Sequence, residues 1–184
     1  MFDIAAGNSI AVEADPPTIV RHAVQHAERP VVSTNFRPGE AAILHMCVQA
    51  RPDIPVLWVD HGYNTDDTYR FAERLIDRLG LRVELFVPRR TRAHREAIDG
   101  GLPDPDTPAH DALTRELKLE PFQRGLRALA PDVWLTAVRR DQTAFRAGMQ
   151  HFDHERSGLL DTPLVKVAPL LDWTEADVAA YLAA

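Results

Sequence analysis

The stretch PVVSTNFRPGEAAILHMCVQARPDIPVLWVD, residues 30–60, has the pattern of a strand, a helix and a second strand. Pro30–Thr34 and Pro55–Asp60 are short and rich in valine, which is typical of buried strands in a parallel sheet. Residues 39–50 lie between them and are predicted to form a helix. Because a crossover helix places its two flanking strands side by side, this unit predicts an α/β fold.

The same alternation continues along the rest of the chain. We predict helices over 18–28 and after Thr65, Pro121 and Thr174, and strands at the segments Arg82–Val87, Asp132–Val138 and Leu164–Ala168. The sequence therefore predicts one α/β domain over 1–184, a doubly wound, mainly parallel five-stranded sheet with helices on both faces. Residues 1–16 are interpreted as an N-terminal extension. Residues 89–113, with a Gly-Gly pair and three prolines, are interpreted as a long loop.

Composition narrows the class of protein. The 184 residues are 45% hydrophobic, as in a globular chain, and 21 basic against 27 acidic residues give a net charge of −6. A negative chain is a poor general binder of nucleic acid, so any anion site must be local. The sequence shows neither an 18-residue apolar run nor a signal-type segment, and we expect a cytoplasmic protein without membrane contact. The single cysteine, Cys47, excludes a disulfide or a cysteine-rich metal cluster within these residues.

Polar residues follow three of the predicted strands, at the edge where α/β sheets bind ligands. Hydroxyl and amide groups follow the first strand, an acidic turn follows the second, and arginines follow the fourth. The first group is Ser33, Thr34, Asn35 and Phe36; the second is Asp60, His61 and Gly62; the third is Arg139, Arg140, Gln142 and Arg146. Guanidinium groups bind phosphate or sulfate through two parallel hydrogen bonds, so together these residues indicate an anionic nucleotide. Taken singly, the first is typical of an N-cap and the third of a solvated arginine pair.

An ordered series of motifs resembles the phosphoadenylyl-sulfate (PAPS) reductases, a family with the adenine nucleotide alpha hydrolase-like fold. The resemblance runs from about Pro17 to the last residue. The motifs are Ser33-Thr-Asn-Phe36, Arg51-Pro-Asp-Ile-Pro-Val56, Asp60-x-Gly-Tyr63, Thr68-Tyr-Arg-Phe71, Lys118-x-Glu-Pro121 with Arg124, Arg139-Arg-Asp-Gln142 with Arg146-Ala147, and Lys166-Val-x-Pro169 with Asp172-Trp173.

The resemblance implies a function and a set of binding residues. In this family the arginines after the strand hold the phosphosulfate group, assisted by the lysine that here is Lys118. The first loop and the Asp60–Tyr63 turn line the nucleotide cleft. The implied reaction is thiolate attack on the sulfate sulfur, with release of adenosine 3′,5′-bisphosphate and later of sulfite, in sulfate assimilation. Arginines would assist that attack by stabilising the anionic leaving group.

The resemblance also implies an electron donor. Relatives that reduce adenylyl sulfate hold an iron–sulfur cluster on a Cys-Cys pair, and this chain has Leu113-Thr114 at that place. No thiolate is available there, so we expect no cluster and no other cofactor. Thioredoxin or glutaredoxin is then the expected protein partner, and a homo-oligomer is possible.

Two departures from the family pattern concern the loop and the thiol. Arg37-Pro38 follows Phe36 where the family usually has glycine, so we expect the loop to bend differently and to gain a cation. The family's attacking cysteine lies in a tail beyond the Asp-Trp helix, and the sequence stops at Ala184; we expect the folded core of a longer protein. Cys47 falls on the apolar face of its helix and is predicted to be an inert core residue.

Two other functions share the predicted fold. An ATP pyrophosphatase-like adenylyl transferase is one, although its usual Ser-Gly-Gly loop is missing here. A binding module without reductase activity is the other. Several side chains have simpler interpretations: His22 and His26 on a helix surface, Trp58 and Trp134 in the core, and His151 with His154 solvated in a polar loop rather than bound to a metal.

Overall fold

A computed structural model gives the fold and describes residues 2–155, 158, 160 and 162–184. Its sheet has the order β3-β2-β1-β4-β6-β5. The strands are β1 Pro30–Thr34, β2 Pro55–Val59, β3 Arg82–Phe86, β4 Val133–Leu135, β5 Phe152–His154 and β6 Val165–Val167. β5 pairs with β6 in antiparallel fashion, and the other pairs are parallel. The predicted α/β class and mainly parallel sheet are confirmed.

The prediction of five strands is wrong, because the described part of the chain contains six. β5 was missed since it has only three residues, and its Asp153 and His154 break the apolar pattern on which strand prediction depends. His151 precedes this strand and is only 9% exposed, so the interpretation of His151 as solvated is wrong, whereas His154 is exposed as expected. The predicted strand Asp132–Val138 is shorter than expected and ends at Leu135.

Eight α-helices occur in the described residues, and side-chain caps explain most of their starts. They are α1 Ile4–Ala11, α2 Pro16–Gln25, α3 Ala41–Ala50, α4 Asp66–Leu79, α5 Arg92–Asp99, α6 Pro108–Thr114, α7 Glu120–Leu129 and α8 Glu175–Ala183. Thr65 caps α4, and Gly80 ends it at φ 60°. A capping box of Thr174 and Asp177 opens α8, the helix predicted after Thr174.

Two segments expected to be irregular contain helices. Residues 89–113 hold α5 and α6, each begun by a threonine, Thr91 or Thr107, whose hydroxyl accepts from the backbone N–H three residues on. The Gly-Gly pair, Pro103 and Pro105 lie in the connection between them, and Pro108 is the first residue of α6. The N-terminal extension 1–16 contains α1, where Asn8 exchanges hydrogen bonds with the backbone of Phe152 on β5.

Apolar residues fill both faces of the sheet, as expected for a doubly wound fold. The larger cluster includes Ile43, Leu44 and Cys47 of α3, all fully buried. The smaller cluster joins Leu57 and Leu126 on the opposite face. The prediction that Cys47 lies in the core is confirmed, and burial raises the pKa of its thiol far above the usual range. A thiol in that state is not a nucleophile near neutral pH.

Candidate functional site

A cavity of about 310 Å³ lies beyond the carboxyl ends of the central strands. Ser33 and Thr34 at the end of β1 and Asn35 just after it form one wall of this cavity. His61 after β2 and Lys118 lie on the others. Lys118 stands in a π-helical turn, Arg115–Leu119, between α6 and α7. Turns of this kind are frequent at functional sites because they redirect one side chain out of the helical repeat. The fold therefore brings five of the predicted binding residues, Ser33, Thr34, Asn35, His61 and Lys118, to one cavity.

The floor of this cavity is aromatic. The rings of Phe122 and Trp134 lie with centroids 5.1 Å apart, and Lys166 Nζ is 4.9 Å from the Trp134 centroid. Trp134 Nε1 donates to Ser33 Oγ at 2.8 Å, which fixes the ring against the loop. Flat apolar walls beside ammonium groups suit a ring with an attached anionic group.

A second cavity, of about 390 Å³, adjoins the first and shares Ser33 and Asn35 with it. Its other walls include Arg37, Gln142 and Arg146, of which Gln142 and Arg146 were predicted as binding residues. Gln142 Oε1 accepts hydrogen bonds from Arg146 Nη1 and from the backbone N–H of Arg139. Arg37 makes no ion pair with any residue of the described ranges, and it lines this cavity together with Glu40.

The loop between β1 and α3 is organised around one carboxylate. Glu40 Oε2 accepts from the Thr34 hydroxyl at 2.8 Å and from the Asn35 backbone N–H at 2.6 Å. Thr34 Oγ1 in turn accepts from the backbone N–H of Phe36. The Thr34 hydroxyl and the Asn35 backbone N–H are donors that a phosphate group could use, and both already donate to the Glu40 carboxylate.

The loop takes its left-handed residue at an unexpected position. Phe36 has φ 52°, whereas Arg37 is extended at φ −72° and ψ 145°. Arginine at position 37 therefore needs no unfavourable backbone conformation. Phe36 is 1% exposed and packs edge-on against Trp58, so it anchors the loop from below and does not line either cavity.

In the turn after β2, Asp60 and Gly62 have structural roles. Asp60 Oδ1 accepts from the Gly62 backbone N–H, the Asn64 amide and the Tyr69 hydroxyl at 2.8–3.0 Å. This carboxylate shapes the turn, which also requires the φ of 76° at Gly62. Neither residue lines the cavities.

His61 is the member of this turn that reaches the cavity. Its Nδ1 accepts from the backbone N–H of Tyr63, so a neutral ring carries its proton on Nε2. Burial lowers the pKa of His61, and the charge of Lys118 adds to this effect against the opposing influence of Asp60. A neutral His61 can donate one hydrogen bond to a ligand.

The adjacent arginines at the end of β4 are held within the chain. Arg139 pairs with Asp141 at 3.0 Å. Arg140 pairs with Asp172 and donates to the Met149 carbonyl oxygen at 2.8 Å. Neither lines the two cavities, so the cations at the cleft are Lys118 and Lys166 on one side and Arg37 and Arg146 on the other.

Several cleft residues were not predicted as binding residues. Lys166 stood in a quoted motif without a role, although a lysine inside the apolar segment LVKVA was itself a signal. Thr136 and Val138 follow β4 and line both cavities. Phe122 and Trp134 could not be distinguished from core residues, because apolar walls of a cavity and of a core have the same composition.

Residues 29–184 match the family model of the phosphoadenosine phosphosulfate reductase domain. The chain belongs to this family. Family members with curated sequences include the phosphoadenosine 5′-phosphosulfate reductase of Xanthomonas campestris pv. campestris (strain B100), 36% identical over 173 residues, or 90% of this chain and 66% of that protein. The enzymes of the same name from Synechococcus sp. and Alkalilimnicola ehrlichii are also 36% identical, and the match covers 84% of this chain and 64% and 60% of theirs. The chain thus spans less than two thirds of the length of these relatives.

Solved structures support the same fold. The phosphoadenylyl-sulfate reductase of Candida auris, in a phosphate complex, superposes with a TM-score of 0.81 at 22% identity, over 98% of this chain and 84% of that one. FMN adenylyltransferase of Candida glabrata, with FMN and an ATP analogue, gives a TM-score of 0.65 at 14% identity, over 98% and 57%. The predicted adenine nucleotide alpha hydrolase-like fold is confirmed. Within the residues that are described, no helix is long and apolar enough to cross a bilayer.

Proposed function

We propose that this chain is the nucleotide-binding part of a thioredoxin-dependent PAPS reductase of the cytoplasm. The observation that carries the proposal is the cleft itself, an aromatic cavity continuous with a polar one, with cations on both sides. A nucleotide with anionic groups at separate positions of its ribose matches two separate groups of cations. The family and its 36% identical relatives supply the substrate class.

The chain's own residues bind and stabilise charge in the proposed reaction. A thiolate attacks the sulfate sulfur of PAPS, forming an S–S bond and releasing adenosine 3′,5′-bisphosphate. A dithiol donor then breaks that S–S bond, which releases sulfite and leaves the donor oxidised. Lys118, Arg37 and Arg146 would offset the charge of the substrate and of the leaving bisphosphate. His61 would donate from Nε2 without taking part in proton transfer.

The attacking thiol is not Cys47, which is fully buried and whose pKa is raised by that burial. The proposed reaction therefore needs a thiol that these 184 residues do not provide. Leu113-Thr114 offers no thiolate for a cluster, so the proposed electron donor is thioredoxin or glutaredoxin.

A calorimetric titration of the 184-residue chain with adenosine 3′,5′-bisphosphate, AMP and ATP tests the binding half of the proposal. We expect the bisphosphate to bind most tightly of the three. Lys118→Ala and Arg146→Ala should each weaken its binding about tenfold, the usual loss for one charge-assisted contact. Preference for ATP would instead favour an adenylyl transferase.

The chemical half needs the natural full-length protein. With PAPS and reduced thioredoxin, we expect sulfite to form, and Lys118→Ala to lower its rate. No sulfite from a full-length protein that binds the bisphosphate would overturn the reductase assignment and leave a binding module.

A further inference from the structure

The segment after β4 carries two cleft residues, Gln142 and Arg146, on irregular backbone. Its described structure consists of short 3₁₀-helices at Arg140–Gln142 and Ala144–Gly148. Short 3₁₀-helices have poorer hydrogen-bond geometry than an α-helix and constrain the chain less. Something outside the segment must therefore set where Gln142 and Arg146 lie.

Arg140 closes this segment at both ends. Its backbone N–H donates to the Leu171 carbonyl oxygen at 2.9 Å, which ties the start of the segment to the turn after β6. Its guanidinium Nη2 donates to the Met149 carbonyl oxygen at 2.8 Å, which ties the end of the segment back to the start. Nη1 pairs with Asp172 Oδ1. Arg140 thus ties together the two ends of a ten-residue segment, 140–149, through its backbone N–H and its side chain.

Asp172 is itself held in place. Its Oδ2 lies 2.9 Å from His151 Nε2, while Oδ1 meets Arg140. His151 Nδ1 lies 2.9 Å from the Ala168 carbonyl oxygen, and the Ala168 backbone N–H donates to the His151 carbonyl oxygen at 2.8 Å. A carbonyl oxygen and a carboxylate both accept, so the contact of His151 with Asp172 is a hydrogen bond when Nε2 carries the ring proton, and it then orients the carboxylate toward the arginine.

We propose that Asp172, oriented by His151, is a positioning residue for nucleotide binding: it holds Arg140 so that residues 140–149 present Gln142 and Arg146 to the cleft. The identity of the ligand rests on the proposed function. The contacts of Asp172 with Arg140 and of Arg140 with the ends of the segment 140–149, together called the clamp, do not. It gives Arg140 a role in fixing the loop, and leaves direct contact with the anion to Arg146 and Arg37. An ion pair with side chains 35% and 57% exposed contributes little to global stability, so its effect is local.

Hydrogen–deuterium exchange of the 184-residue chain without ligand tests the clamp directly. In Asp172→Asn, we expect the amides of Arg140, Arg146 and Met149 to exchange at least tenfold faster, with exchange in β1 and α3 unchanged. Asp77→Asn is the matched control, since Asp77 is exposed on α4, and it should change none of these amides. Unchanged exchange of the segment in Asp172→Asn would overturn the proposal.

Titration with adenosine 3′,5′-bisphosphate then tests the consequence. Asp172→Asn should weaken binding about tenfold, Asp172→Glu should recover part of the loss, and the melting temperature should stay close to that of the wild type. In an Arg140→Gln background, Asp172→Asn should have no further effect, because the two residues act as one unit. Full additivity of the two losses would overturn the proposal. A wild-type chain that binds no nucleotide would overturn the proposed function alone, since the exchange measurement needs no ligand.

Discussion

Trp134 donates its indole N–H to the hydroxyl oxygen of Ser33 across 2.8 Å, joining β4 to the end of β1 at the floor of the cleft. Trp134 is 9% exposed, and its ring also carries the contacts with Phe122 and Lys166. A buried polar N–H needs a partner, and here the partner is a residue at the end of β1 that lines the cavity. The contact therefore couples the packing of the sheet to the shape of the site.

Replacing Trp134 with phenylalanine should loosen this wall. The lost hydrogen bond should lower the free energy of unfolding by about 1 kcal/mol. It should also weaken the binding of adenosine 3′,5′-bisphosphate by about fivefold. Trp58→Phe is the control, because Trp58 Nε1 is buried without a hydrogen-bond partner among the described residues. Equal losses of ligand affinity in both variants, measured by calorimetry, would show that the bond to Ser33 has no special role.

Gly125 allows α7 to approach the sheet closely. A Cβ at this position would lie 2.6 Å from Leu57 Cδ1 and 3.0 Å from Phe86 Cδ2. Gly125→Ala should therefore destabilise the fold by about 1–3 kcal/mol, although alanine is ordinarily the better helix former. Urea unfolding measures the change. Gly101→Ala, with nothing within 4 Å of its added Cβ, is the control, and a Gly125→Ala chain as stable as that control would contradict the packing.

The sequence predicted those parts of the fold whose pattern is local. Buried strands such as β1 and β2 and the capped helices α4 and α8 have apolar periodicity or caps within a few residues, and these predictions were confirmed. The strand β5 was missed because its existence depends on Asn8 of α1 and on pairing with β6, which are distant in sequence. The helices α5 and α6 were missed because glycine and proline in their connection dominated the pattern.

The part of the site that lies at the ends of strands was predictable from the sequence. Ser33, His61 and Lys118 follow from the topology and the family motifs, and they do line one cavity. The pairing of Arg140 with Asp172 joins residues 32 positions apart and has no local signature. Sequence identifies residues able to bind an anion, but only the fold determines which of them already have an internal partner.

The histidines on α2 should make stability depend on pH. The rings of His22 and His26 have centroids 4.3 Å apart, and His22 also packs edge-on against Phe152, so the pair is not simply a surface feature. Burial lowers the pKa of His22, and the nearby charge of His26 lowers it further. The unfolded chain therefore takes up this proton first as pH falls, and the free energy of unfolding should decrease from about pH 7 to about pH 5.

Urea unfolding at the two ends of that range measures the effect. His26→Gln removes the repulsion and should make the loss on acidification smaller, while His94→Gln, an exposed histidine on α5, should leave it as in the wild type. If His26→Gln and wild type lose equal stability between the two pH values, the interaction of the two rings is too weak to matter.

Arg37 should contribute to binding through its charge. It is exposed, lines the second cavity with Arg146, and has no ion pair with any residue in the described ranges. Arg37→Ala should weaken the binding of adenosine 3′,5′-bisphosphate about fivefold at low salt. This corresponds to the loss of roughly 1 kcal/mol of binding free energy expected for one exposed charge. Raising the ionic strength should weaken wild-type binding more than binding by the variant, because salt screens the contact that the variant lacks.

Calorimetry at about 50 mM and about 300 mM salt separates this electrostatic role from a structural one. Arg37→Lys keeps the charge and should retain most of the affinity, while Arg78→Ala, in the last turn of α4, removes an equal charge away from the cleft. Binding by Arg37→Ala with wild-type affinity and wild-type salt dependence would place Arg37 in solvent. A loss shared equally by Arg37→Ala and Arg37→Lys would instead mean that the planar guanidinium, and not its charge alone, is required at this position.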